Sequence, residues 1–233
     1  MVSTQGARPL MWPLLIQGAG HMRKRTCVYV VGFNFYYGVV KDTPYKWLNF
    51  KALFSYLLSP QQHNIQAIKY FTAIVTGKID PDQPIRQKTY LRAIQKYIPE
   101  LSIYYGHFLS HVVSAPLANP VGKQRFVNII KTEEKGSDVN LAVHVLNDAS
   151  LDRYDSFVIV SNDSDLAESL RLVKEQYKKS IGLIFPDTSG RNHPSKELMQ
   201  YADFIKRIRK GVLSKSQLPD PIPGTSIRKP KIW

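Results

Sequence analysis

The run Thr26-Cys27-Val28-Tyr29-Val30-Val31 constrains this chain more than any other stretch. It is short, rich in β-branched residues and nearly all apolar, the pattern of a strand buried on both faces rather than one. A second such run is Phe157-Val158-Ile159-Val160, and a third is Ile181 to Phe185. Asn64 to Val75, Leu101 to Leu109 and Phe126 to Lys131 read as further strands. Between the strands, apolar residues recur at helical spacing in Trp47 to Leu58, which Pro60 follows, and in Ile85 to Ile98, which Pro99 ends. Ser137 to Leu146 sets Leu141, Ala142, Val145 and Leu146 on one side, and Asp165 to Tyr177 and Pro194 to Ala202 complete the helices. Strands alternating with helices predict an α/β fold whose sheet is mostly parallel and covered on both faces. Gly32-Phe33-Asn34 is expected as a turn, and Val112 to Arg125, with Pro116, Pro120 and Gly122, as a loop.

A chain of 233 residues fits one domain with tails. Its 43% apolar and 21% charged residues exclude wholesale disorder, collagen and a coiled coil. Residues 1–24 are expected as a disordered leader, with Gly20-His21-Met22 resembling a vector-derived junction, and 25–210 as the folded domain. Residues 204–233 hold eight Lys or Arg, one acid and four prolines, so 211–233 is expected as a basic, Pro-rich tail with no fold of its own. The single cysteine, Cys27, excludes an internal disulfide framework and a cysteine zinc site, and suits a reducing, cytoplasmic location. The 32 Lys and Arg against 18 acids give a net charge of +14, which favours a polyanionic partner. No run of about 18 apolar residues exists, so no membrane span is expected. An oligomer is compatible with everything above.

Ten of the 18 acids lie between Glu133 and Glu175. Crowded like charges repel unless a cation or a set of donors offsets them. Asp163 and Asp165, in Ser161-Asn162-Asp163-Ser164-Asp165, directly follow the strand Phe157 to Val160. A D-x-D turn there projects oxygens into the crevice above the sheet, where open α/β folds bind ligands and where a hard divalent cation finds its donors. On the local pattern alone, helix capping is the favoured explanation of the same residues. Asp138 stands in the first turn of its helix, on the side of Leu141, Ala142 and Val145, which turns it toward the strand ends. After the first strand, Asn34 offers an amide, and Tyr36 and Tyr37 offer faces for base stacking. At least two of Phe33, Phe35, Tyr36 and Tyr37 are expected in the core.

Three segments together resemble the NYN domain family of PIN-like nucleases. Val28 to Tyr37 is similar to its first motif, Thr132 to Val139 to its middle motif, and Ser161 to Leu166 to its third, spanning about Arg25 to Arg209. The resemblance implies a Rossmann-like three-layer α/β/α sandwich and a ribonuclease dependent on Mg²⁺ or Mn²⁺. By motif position it gives site roles to Asn34, Asp138, Asp163 and Asp165, the three aspartates as direct or water-mediated metal ligands. Lys131 and Lys135 flank the middle motif, where they would contact RNA phosphates, as would Lys206, Arg207, Arg209 and Lys210. One position departs: the family's first-motif aspartate is Val31 here, which has no donor atom. The resemblance therefore implies a weakened or lost hydrolytic activity, or an RNA-binding module that no longer does chemistry. A phosphohydrolase of another α/β type would need a nucleophilic aspartate where Val31 stands.

Overall fold

The computed structural model describes residues 22–77, 80–190 and 192–233; the expected leader lies outside them except for its last residues. The expected first strand is β1 (Lys24–Val31), every residue buried from Thr26 onward. It pairs in parallel with β2 (His63–Thr72) on one side and β6 (Ser156–Val160) on the other. Beyond β2 lies β3 (Leu101–Tyr105); beyond β6 lie β7 (Ser180–Phe185) and β8 (Phe204–Arg207). The order is β3-β2-β1-β6-β7-β8, and all five neighbour pairs are parallel. The chain thus runs outward from β1 in one direction, then returns to its other side. The ends of β1 and β6 form the topological switch point, where such sheets open a crevice.

Alternation along β1 divides its side chains between two cores. Val28 and Val30 face a cluster built with Phe50, Leu53 and Phe54 of α2 (Phe50–Leu57) and Tyr90, Leu91 and Ile94 of α3 (Gln83–Tyr97). Cys27, Tyr29 and Val31 face the other cluster, with Leu141 and Val145 of α4 (Ser137–Ser150) and Leu170 and Val173 of α5 (Ala167–Glu175). The result is the expected α/β/α sandwich. Helices start where the sequence supplies acceptors: Asn49 caps α2 through the amide of Ala52 at 3.1 Å.

Three expectations need correction. Gly32-Phe33-Asn34 is not a free turn: α1 (Gly32–Phe35) starts on the last residue of β1 and runs into a wider π turn, Tyr36–Val40. Gly38 within it lies so close to β7 that a Cβ would fall 1.9 Å from the Pro186 carbonyl oxygen.

Val112 to Arg125 is no loop. It belongs to a two-stranded antiparallel arm, β4 (His107–Val121) and β5 (Gln124–Lys135), separate from the main sheet. Each strand of such a ribbon is an edge, so Pro116 and Pro120 need not cost a ladder hydrogen bond.

The segment 211–233 is folded onto the body. Within and after α7 (Lys210–Lys215), Leu213, Leu218 and Ile222 are buried, and the Trp233 ring centroid is 6.0 Å from that of Trp47. Its basic, proline-rich composition is offset by apolar residues that anchor it every few positions.

Candidate active site

The crevice is assembled from three chain segments. From β1 and α1, Asn34 accepts a hydrogen bond at 3.1 Å from the backbone N–H of Asn162. That contact ties the first motif to the third, and it makes Asn34 a positioning group with its amide oxygen already engaged. Asn162 continues the brace: its side-chain oxygen accepts from Ser195 N–H at 2.7 Å. After β6, Asp163 accepts from the Asp165 N–H at 3.0 Å and caps a short 3₁₀ turn, Ser164–Leu166. The capping explanation of Asp163 is therefore realised, through one carboxylate oxygen.

The third segment is the start of α4. Gly136 precedes it with φ of 96°, a left-handed conformation suited to glycine. Glu134 accepts from both the backbone N–H and the hydroxyl of Ser137, at 3.2 and 2.7 Å. Asp138 follows. Its Oδ1 is buried and has no hydrogen-bond partner among the described residues. Burial pushes the Asp138 carboxyl up to about 6, and the charges of Asp163, Glu134 and Asp165 push in the same direction. The three predicted aspartates thus share one electrostatic neighbourhood, with Glu134 as a fourth member.

Val31 ends β1 at 3% exposure, packed in the cluster that holds Phe71 and Leu141. The crevice floor there is hydrocarbon. Among the described residues, no three His, Cys, Asp or Glu side chains are grouped closely enough to cage a metal. The donor set that exists is all oxygen, with one oxygen unpartnered. That suits a small hard cation that keeps most of its waters, rather than one stripped and chelated by protein.

Other predicted residues are placed differently. Lys131 and Lys135 lie on β5, both bridged to Glu133 at 2.7 and 3.4 Å, so their charge is partly compensated. Tyr36 is half-buried against the core, whereas Tyr37 is 61% exposed, with the Lys41 ammonium 5.0 Å from its ring centre. Phe35 is in the core and Tyr36 packs against it, which makes the two expected of the four aromatics; Phe33 is partly exposed and belongs to neither core cluster. Sequence reasoning left Glu134 and Asn162 without roles although both lie inside the quoted motifs. Their signal was adjacency: each precedes a site aspartate by a few residues.

The fold and the crevice define a PIN-like α/β/α protein with an acidic site at the switch point. Residues 25–208 match the NYN domain, and the chain belongs to that family. It is also 33% identical to the 6-hydroxy-3-succinoylpyridine 3-monooxygenase HspA of Pseudomonas putida (strain DSM 28022 / S16), over 89% of this chain and 73% of that protein. A crystal structure of a protein of unknown function from Vibrio parahaemolyticus aligns with a TM-score of 0.48 at 18% identity, over 81% of this chain and 94% of that one. No helix among the described residues is long and apolar enough to cross a membrane.

Proposed function

We propose that this chain is a weakened, divalent-metal-dependent ribonuclease that binds RNA on its basic surface and hydrolyses it at the crevice of Asp138, Asp163 and Asp165. The observation that supports the reading is the buried, unpartnered Oδ1 of Asp138 inside a group of acids. Nothing in the described chain offsets that repulsion, and a cation would. Asp138, Asp163 and Asp165 would hold Mg²⁺ or Mn²⁺, which when bound stabilises negative charge on phosphate oxygens. Asn34, through Asn162, keeps the third motif in register with β1. Val31 supplies no ligand and keeps the floor apolar. The net charge of +14 accounts for substrate attraction that weakens steeply with salt.

The test is cleavage of labelled single-stranded RNA with Mg²⁺ or Mn²⁺ by the natural chain, Val31→Asp and Asp163→Asn. Cleavage is expected to be slow, raised at least about tenfold by Val31→Asp and abolished by Asp163→Asn. The proposal fails if Val31→Asp gains nothing and Asp163→Asn alters neither metal binding nor cleavage. RNA binding that survives EDTA without any cleavage would make the chain a binding module instead.

One observation favours a second reading. The similarity to a protein named as a monooxygenase of a substituted pyridine extends over most of this chain. Under that reading, dioxygen and a two-electron reductant such as a reduced nicotinamide would hydroxylate a small aromatic acid. One oxygen atom would enter the ring and the other would leave as water. Oxygen uptake dependent on 6-hydroxy-3-succinoylpyridine would establish it, and its absence in the presence of a reduced nicotinamide and a flavin would remove it.

A further inference from the structure

The sheet face opposite α4 holds a cavity of about 410 Å³ between α1, the π turn, α3 and the C-terminal segment. Sites for small molecules run from about 300 to 1,000 Å³. Aromatic rings form much of the wall, among them Phe33, Tyr36, Phe50, Tyr70, Tyr90 and Trp233. Asp138, Asp163 and Asp165 do not line it. Trp233 closes it from the far end of the chain, its ring centroid 5.3 Å from that of Tyr90.

Several polar side chains in this lining have no partner among the described residues, the Tyr70 hydroxyl and Lys46 among them. The Tyr70 side chain is buried, yet its hydroxyl makes no hydrogen bond among the described residues, while the neighbouring Tyr90 hydroxyl donates to the Leu48 carbonyl at 2.9 Å. Lys46 is half-buried and forms no hydrogen bond or ion pair among the described residues. Arg86 also lines the cavity but is bonded to Asp80. Among the charged side chains of the lining, Lys46 and Arg86 stand against Asp80. An ammonium and a phenolic O–H that line one cavity, neither with an acceptor among the described residues, can both donate to an acceptor-bearing ligand. The aromatic walls call for a flat one.

We infer that this cavity binds a planar aromatic carboxylate of one or two rings, its carboxylate on the Lys46 ammonium and a ring substituent accepting from the Tyr70 hydroxyl. The ring would lie among the Phe33, Phe50 and Trp233 side chains. The lining carries this inference, and it deepens the second reading above, whose substrate is a small aromatic acid; saturable binding without oxygen uptake would leave the cavity site standing and remove that reading.

The test is a fluorescence titration of the full chain, with Trp47 and Trp233 as reporters, using 4-hydroxybenzoate, the neutral 4-hydroxybenzamide and the non-aromatic cyclohexanecarboxylate. Saturable quenching by 4-hydroxybenzoate is expected, with both other compounds at least about tenfold weaker. Lys46→Met should weaken 4-hydroxybenzoate by about tenfold and leave the amide unchanged. Tyr70→Phe, its folding checked by circular dichroism, should weaken it severalfold. Asp163→Asn should leave binding intact, which separates this site from the phosphodiester crevice. No saturable binding, equal affinity for acid and amide, or an unaffected Lys46→Met overturns the inference. Displacement of the probe by a short RNA also overturns it, reassigning the aromatic walls to base stacking.

Discussion

Helix α4 carries two inward-facing aspartates near its ends, and their surroundings are opposite. Asp148 is fully buried and accepts from the Tyr29 hydroxyl at 2.7 Å, the Lys69 ammonium at 2.5 Å and the Arg153 guanidinium at 3.0 Å. Asp138, nearly three turns earlier, has a buried oxygen with no donor and other carboxylates as neighbours. A buried acid surrounded by donors is a structural element whose charge is already compensated. A buried acid surrounded by acids is compensated only by something from outside. The chemistry of a carboxylate is thus set by its neighbours rather than by its depth.

The comparison can be broken most directly at Asp148. Asp148→Ala leaves Lys69 buried without its partner and should lower stability by about 3–5 kcal/mol, read from urea unfolding. Replacing both, as Asp148→Leu with Lys69→Met, should recover much of that loss, because well-packed apolar residues often match a buried ion pair. If the single and double variants are equally unstable, the network owes its effect to packing and the contrast is lost.

Val31→Asp tests the apolar end of β1. It should cost about 2–4 kcal/mol without metal, since it buries a carboxylate beside Leu141 and Phe71. Added Mn²⁺ should restore part of this, measured as a rise in Tm that the natural chain shows less strongly. Equal shifts in both chains would mean that residue 31 does not face the ion.

The pH dependence sharpens the other end. With the Asp138 carboxyl raised from 3.8 to about 6, the folded state binds more protons than the unfolded state between those values. Stability should therefore fall as pH rises through that window and level off above it. Asp138→Asn should flatten this component in denaturation curves taken from about pH 4 to 7. An unchanged slope would show that Asp138 titrates normally. The smallest effect belongs to the exposed Lys131–Glu133 pair, where Lys131→Ala should leave the thermal unfolding midpoint essentially unchanged.

The contrast between the two aspartates also shows what a sequence can reveal. Asp138 was legible because a helix start, an apolar stripe and two later acids all pointed to one crevice. Asp148 falls in the same acid-rich stretch, but its donors come from residues 29, 69 and 153, which only the folded sheet brings together. The central strands were legible because burial on both faces leaves little but β-branched and aromatic residues. The β4–β5 arm was legible only in part: Phe126 to Lys131 reads as a strand, but the largely exposed residues from Val112 onward carry prolines that give the same signal as a loop. The folding of 211–233 was hidden by composition, since its few apolar anchors are spread among lysines and prolines. The aromatic cavity had no local signature at all, as its lining runs from Gly32 to Trp233.

The position of β1 at the centre of the sheet bears on how the protein is made. Arg25, at the start of that strand, pairs with Asp155 across a separation of 130 residues. At about 5–20 residues per second, a ribosome needs several seconds or more to deliver the second neighbour. Throughout that interval a central strand of the sheet has one edge and much of one face open to water and to other nascent chains. Slow synthesis or a crowded polysome would therefore lower the yield of this protein before any property of the finished fold comes into play.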